Sequence, residues 1–127
     1  MRIAVVKETD PNETRVAATP ETVKKLIALG ASITVEAGAG IASGIPDSEF
    51  ETAGASIAQG TSAAVAGADV VLAVRRPDAK SVSGAANGAS VIAIMDPYGQ
   101  EAALNAYAQA GLNAFAMEFM PRITRAQ

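Results

Sequence analysis

GADVVLAV, residues 67–74, is the stretch on which the fold turns. A glycine, a small residue and an acid lead straight into five apolar residues, three of them valine. Glycine suits the left-handed residue that closes a helix. An unbroken β-branched run suits a strand buried on both faces. The same phrase recurs as GASITV (30–35), GASIA (54–58), GASVIAI (88–94) and, more loosely, GLNAFAM (111–117). Each instance reads as a helix end feeding a strand. The intervals run from 13 to 24 residues, too uneven for a solenoid repeat. Alternating α and β predicts one α/β domain over residues 1–127, an open, mostly parallel sheet of about five strands with helices on both faces.

Working outward, IAVVKE (3–8) opens as a strand and DPNETRVAA (10–18) follows as a turn-rich loop. Thr19 is placed to cap a helix with Pro20 at its first position. Val23, Leu26 and Ile27 then form one apolar face, with Lys24 and Lys25 turned outward. A short helix is expected over DSEFETA (47–53) with Phe50 inward, and another over 61–66. RRPDAKSVSGAANG (75–88) is the most polar stretch and reads as a flexible loop between two strands. A helix is expected over about 100–110, with Leu104, Tyr107 and Ala108 on one face. AFAMEF (114–119) is the last strand.

Composition narrows the chemistry. Half the residues count as hydrophobic, but 29 are alanine, and apolar burial yields only about 25 cal/mol per Å². A thin core is expected, part of it dependent on a neighbouring domain or subunit. The net charge of −3 argues against a nucleic-acid partner. With no cysteine and no histidine, disulfides, thiol chemistry and the commonest general base and metal ligand are all absent. No metal site is expected. No run of apolar residues is long enough to span a bilayer, so the chain reads as soluble.

Four stretches are candidate sites. Gly38, Gly40 and Gly44 follow a strand, but Ser43 stands where a dinucleotide fingerprint needs its third glycine, and Pro46 follows closely. A tight turn is the simpler reading. Arg15 lies between a strand end and a helix start, the edge where parallel sheets bind ligands, and could clamp a carboxylate or phosphate. The alternative is an ion pair with Glu13 or Glu8. Arg75 and Arg76 leave a buried strand at the same edge, to face an anionic ligand or simply solvent. MPRITRAQ (120–127) also emerges there, as a ligand loop or a frayed terminus.

MRIAVVKE followed by NETRVAATPETVKKLIALG, then VEAGAG, AGADVVLAVRRP and AMEFMPRITRAQ, resembles the alpha subunit of proton-translocating NAD(P) transhydrogenases. The cousin family is alanine dehydrogenase. The resemblance covers essentially the whole chain, and its RVA-TP and MPRI-RAQ segments are specific. It implies a flavodoxin-like first lobe of a two-lobe NAD-binding component, whose Rossmann-type lobe with an intact glycine fingerprint follows residue 127. By the motif match, Arg122 and Gln127 are expected to contact NAD(H) near the hydride-transfer position. An aspartate and a serine completing that loop are expected beyond Gln127, so that the chain ends inside the site. Arg15 matches an arginine that binds substrate carboxylate in alanine dehydrogenases.

The same resemblance separates the cousins. Alanine dehydrogenases place a lysine where Arg75 stands and a histidine where Ile94 and Met95 stand; MDPY (95–98) departs from both families. Direct hydride transfer between NADH and NADP needs no such acid or base. The implied function is therefore to position NAD(H) in a transhydrogenase that couples this transfer to proton translocation, with the fragment alone inactive and binding no cofactor tightly. Implied partners are the Rossmann-type lobe, the NADP-binding and membrane components, and a second copy in a homodimer. The implied location is cytoplasmic, peripheral to the inner membrane. Two alternatives stay open: an alanine dehydrogenase-like N-terminal domain, and a non-enzymatic assembly module.

Overall fold

Six strands form one parallel sheet: β1 (Arg2–Val5), β2 (Ser32–Glu36), β3 (Ser56–Ala58), β4 (Val70–Arg75), β5 (Ser90–Ile94) and β6 (Asn113–Ala116). The computed structural model describes residues 1–95 and 101–117. The strand order is β3-β2-β1-β4-β5-β6, every neighbour pair parallel. Six strands replace the expected count of about five because GASIA contributes β3, a three-residue strand on one edge. The chain moves outward from β1 to β3, then crosses back to lay β4 on the other side of β1. β1 and β4 therefore form the switch point of the sheet.

Four helices accompany the strands: α1 (Pro20–Ala28), α2 (Asp47–Thr52), α3 (Thr61–Val65) and α4 (Glu101–Gln109). The Thr19 side chain caps α1 by accepting from the Thr22 amide, and Pro20 stands in its first turn. The glycine phrase explains how three helices stop. After α1, Gly30 donates to the Ile27 carbonyl and Ala31 to that of Leu26. After α2 and α4 the same double closure joins Gly54 to Glu51 with Ala55 to Phe50, and Gly111 to Ala108 with Leu112 to Tyr107. This Schellman closure needs a left-handed residue, and the three glycines have φ of 102°, 109° and 77°. One phrase therefore ends a helix and aims the next strand.

The core is two thin layers, one on each face of the sheet. On the front face, Val23 of α1 and Phe50 of α2 cover Ile3, Val5, Ile33 and Val35 of β1 and β2. On the back face, Val65 of α3, Val82, Tyr107 and Leu112 cover Ala4, Val71, Val91 and Ala93. Valine and alanine dominate both layers, as the composition implies. Lys24 and Lys25 point to solvent.

Two expectations need correction. The polar stretch 75–88 is not a loose loop: Ala79 and Val82 are buried in the back layer. Its hydroxyls are satisfied locally, Ser81 Oγ by the Asp78 carbonyl and Ser83 Oγ by the Lys80 carbonyl. On α4, Ala108 is exposed, and Leu104, Ala106 and Ala110 pack with Tyr107 instead. The helix is turned so that Tyr107 donates its hydroxyl to the Pro77 carbonyl. The expected contacts of Arg122 and Gln127, and the departure at Asp96 to Tyr98, fall outside the described residues.

Candidate functional site

The crevice outside the carboxyl ends of strands at a switch point is where open α/β sheets bind ligands. Here that crevice is flanked by the segment after β1 and the end of β4. Three acids organise it.

Glu8 lies just past β1. The pairing of β4 with β5 shifts register between Leu72 and Arg75. In a regular strand consecutive amides point to opposite sides, but a bulge breaks the alternation. Both the Val74 and Arg75 amides reach the Glu8 carboxylate, at 2.9 and 2.8 Å. Glu8 thus caps the irregular end of β4.

Glu13 sits in a turn closed by Asp10, whose carbonyl accepts from the Glu13 amide and whose side chain accepts from the Asn12 amide. Its carboxylate takes the Arg15 guanidinium in a fork, Nε to Oε2 at 2.8 Å and Nη2 to Oε1 at 2.9 Å. The Arg15 amide adds 3.0 Å to Oε2, and Arg75 Nε adds 2.9 Å to Oε1. The Glu13 side chain is only 4% exposed, while those of Arg15 and Arg75 are 60% and 55% exposed. One sheltered carboxylate therefore joins two wet guanidiniums from segments 60 residues apart. Arg15, first through side-chain hydrogen bonds and then through its amide, holds the Glu13 pKa down at about 2 against the pull of burial. The Arg15 pKa rises in return.

Glu36, at the end of β2, is also buried. Its Oε1 accepts from the Lys7 amide at 2.9 Å and from Thr61 Oγ1 at 2.8 Å. It ties the exit of β1 to the start of α3 with neutral donors alone. The loop carrying Glu13 is pinned once more, by Ser43 Oγ donating to the Thr14 carbonyl.

Two hollows flank this cluster. One, of about 320 Å³, is polar and lined by Lys7, Glu8, Thr61, Arg75, Arg76 and Ser81. The other, of about 400 Å³, is apolar and lined by Arg15, Val16, Leu72, Val74, Ile92 and Ile94. The largest hollow, about 510 Å³ beside Arg2, Ser32 and Gly54, lies toward the opposite ends of the strands, where such sheets do not bind ligands. Among the described residues no group of His, Cys, Asp and Glu could hold a metal ion, and no helix is long and apolar enough to cross a membrane.

Sequence reasoning placed Arg15 and Arg75 at this edge, and the structure brings them together on Glu13. Of the two partners considered for Arg15, Glu13 forms the pair and Glu8 bonds β4. Arg76 reaches the Met95 carbonyl. The glycine loop is a tight turn. Ile41, Ser43, Gly44 and Ile45 donate to carbonyls of the loop itself, Ala39 to Glu36, and Gly38 to Asp47 Oδ1 at 2.9 Å. A side chain at Gly40 would lie 2.7 Å from Phe50, so this glycine serves close packing. The roles of Glu8 and Glu36 escaped notice, although each acid directly follows a strand's apolar run.

The family model described as alanine dehydrogenase/PNT, N-terminal domain, matches residues 4–127. The chain is 40% identical over 132 aligned residues to the first of the separate polypeptides that make up the NAD(P) transhydrogenase alpha subunit of Rhodospirillum rubrum, covering all of this chain and 34% of that protein. A crystal structure of transhydrogenase from Sinorhizobium meliloti superposes with a TM-score of 0.92 at 57% identity, covering all of this chain and 38% of the other. An L-alanine dehydrogenase structure superposes with a TM-score of 0.83 at 25% identity, covering 91% of this chain and 32% of the other. The chain thus spans about a third of the length of these relatives.

Proposed function

The chain belongs to the alanine dehydrogenase/PNT N-terminal domain family, and from that premise we propose that it is the first lobe of the NAD(H)-binding component of an NAD(P) transhydrogenase. In the whole enzyme a hydride passes directly between NADH and NADP, coupled to proton translocation through a membrane component. NAD(H) supplies the hydride when bound. This chain forms one wall of the cleft, and a Rossmann-type lobe beyond residue 127 supplies the other. Arg122 and Gln127 contact the nicotinamide end, and Arg15, tied to Glu13, shapes the loop beside it. The full component works as a homodimer, peripheral to the membrane on the cytoplasmic side.

The observation that carries this reading is the equipment of the switch point. Arg75 ends β4 where alanine dehydrogenases have a lysine, and Ile94 and Met95 end β5 where they have a histidine. Oxidative deamination needs that pair for proton transfer, whereas hydride exchange between two nicotinamides does not. The glycine loop spends its amides on its own turn, so the pyrophosphate is held elsewhere.

The test is a pair of measurements. The full-length protein, combined with its NADP-binding component, is expected to transfer hydride from NADH to an NADP analogue, and to form no NADH from alanine and NAD. Calorimetric titration of NADH into chain 1–127 is expected to show no micromolar binding; micromolar affinity would overturn the half-cleft reading.

A further inference from the structure

A sheet of this topology has four quadrants to cover: two faces over β1–β3 and two over β4–β6. Parallel crossovers are right-handed, so direction of travel fixes the face. Going outward from β1 to β3, the chain lays α1 and α2 on the front. Returning and going outward from β4 to β6, it lays α3, the 79–84 turns and α4 on the back. Three quadrants are thereby filled. The front of β4–β6 is one that the chain's own crossovers cannot reach, and no helix covers it among the described residues.

The side chains there are nonetheless apolar. The pairing puts Leu72, Ile92 and Phe115 side by side across β4, β5 and β6. Val74 and Ile94 continue the two inner rows toward the strand ends. Phe115 is 54% exposed and Met117 is 44% exposed. The apolar hollow of about 400 Å³ runs along this surface, with Val16 on one side and Met117 on the other. Parallel sheets in α/β proteins are covered on both faces, and exposed apolar surface of this kind marks an interaction site.

We propose that in the full-length protein this quadrant is covered by an apolar-faced helix from the polypeptide that follows this domain. Two observations favour that occupant over a second copy of the chain. About two thirds of the length of the relatives lies outside the part this chain matches, and the matched part is their N-terminal domain. Met117, just past β6, lines the hollow itself, so the onward chain departs from the rim of the patch. A tethered helix starting there has a high effective concentration at the surface. The proposal rests on the reading of this chain as the first lobe of a longer protein.

The test uses that full-length protein with Phe115 replaced by photoreactive benzoylphenylalanine, a position open enough to accept the bulk. Irradiation is expected to join residue 115 to the same polypeptide downstream of residue 127, read by mass spectrometry. In parallel, Phe115→Cys is expected to react with a maleimide on the order of tenfold more slowly in the full-length protein than in chain 1–127, because the closed state must open first. Cross-links to a second copy, absence of an intrachain cross-link, or equal labelling rates would overturn the proposal. NADH binding by the same preparation is scored separately. Its loss with the cross-link intact would count against the functional reading alone.

Discussion

Phe50 and Phe115 stand on the same face of one sheet and meet opposite environments. Phe50, over β1–β3, is fully buried beneath α2; Phe115, over β4–β6, is more than half exposed. Their difference comes from connectivity rather than from the residue. The right-handed crossovers from β1 to β3 cover the front, and those from β4 to β6 cover the back. Similar apolar strands thus become core in one half and open surface in the other. A hydrophobic residue in this fold has to be read together with the direction in which the chain is travelling.

The comparison can be broken most sharply at Phe50. Phe50→Ala is expected to lower stability by about 3–5 kcal/mol, measured by urea denaturation. A loss below about 1 kcal/mol would mean that the front layer is not the packed core described. Next is Glu36, in the covered half. Glu36→Leu strips the Lys7 amide and the Thr61 hydroxyl of their acceptor and is expected to lose about 1–3 kcal/mol. Glu36→Gln, which keeps an oxygen in place, should recover most of it.

The two ends of the pH scale sharpen the contrast between the halves. Burial raises the Tyr107 pKa from 10.0 to about 12. The folded state therefore prefers the neutral phenol. That contribution is whole below pH 10 and is lost as the pH climbs toward 12. Glu13 works in the other direction. Its pKa falls from 4.5 to about 2, so its contribution is whole above pH 4.5 and is lost as the pH falls toward 2. Tyr107→Phe should flatten only the alkaline limb of a stability–pH curve, and Glu13→Gln only the acid limb. Glu13→Gln should change stability at neutral pH less than Glu36→Leu, because both arginines remain largely in water. If either substitution altered both limbs, the two halves would be coupled more tightly than their separate layers imply. The smallest effect is expected at Phe115→Ser in chain 1–127, within about 0.5 kcal/mol of unchanged. A larger loss would show that the exposed half is packed after all.

The sequence made local features plain and left non-local ones hidden. α1 was readable because Thr19, Pro20 and the Val23–Leu26–Ile27 spacing act within nine residues. The glycine phrases exposed the strands because helix closure and strand entry are neighbours in the chain. Strand order was not readable, since no local signal tells β4 to lie beside β1 instead of β3. The same distance concealed the site. Arg15 and Arg75 were visible separately, but only folding brings them to one carboxylate. Val82 was missed because the serines around it look like solvent-facing loop residues, although their hydroxyls are satisfied within the turn. Ala108 was misplaced because alanine gives the helix face too little contrast against Ala106 and Ala110.

The junction of β1 with β4 also has a consequence for the order of assembly. Ile3 pairs with Val70, whereas the other adjoining strands are joined by partners such as Ile3 with Ile33, Thr34 with Ser56 and Ser90 with Asn113. The longest loop carries the largest closure entropy, so each trio is expected to zip before the seam between them. Pulsed hydrogen exchange during refolding should protect the amides that bridge β1 and β4 last. The arginines meeting on Glu13 would then report completed folding: the ligand edge takes shape only when the two trios have joined.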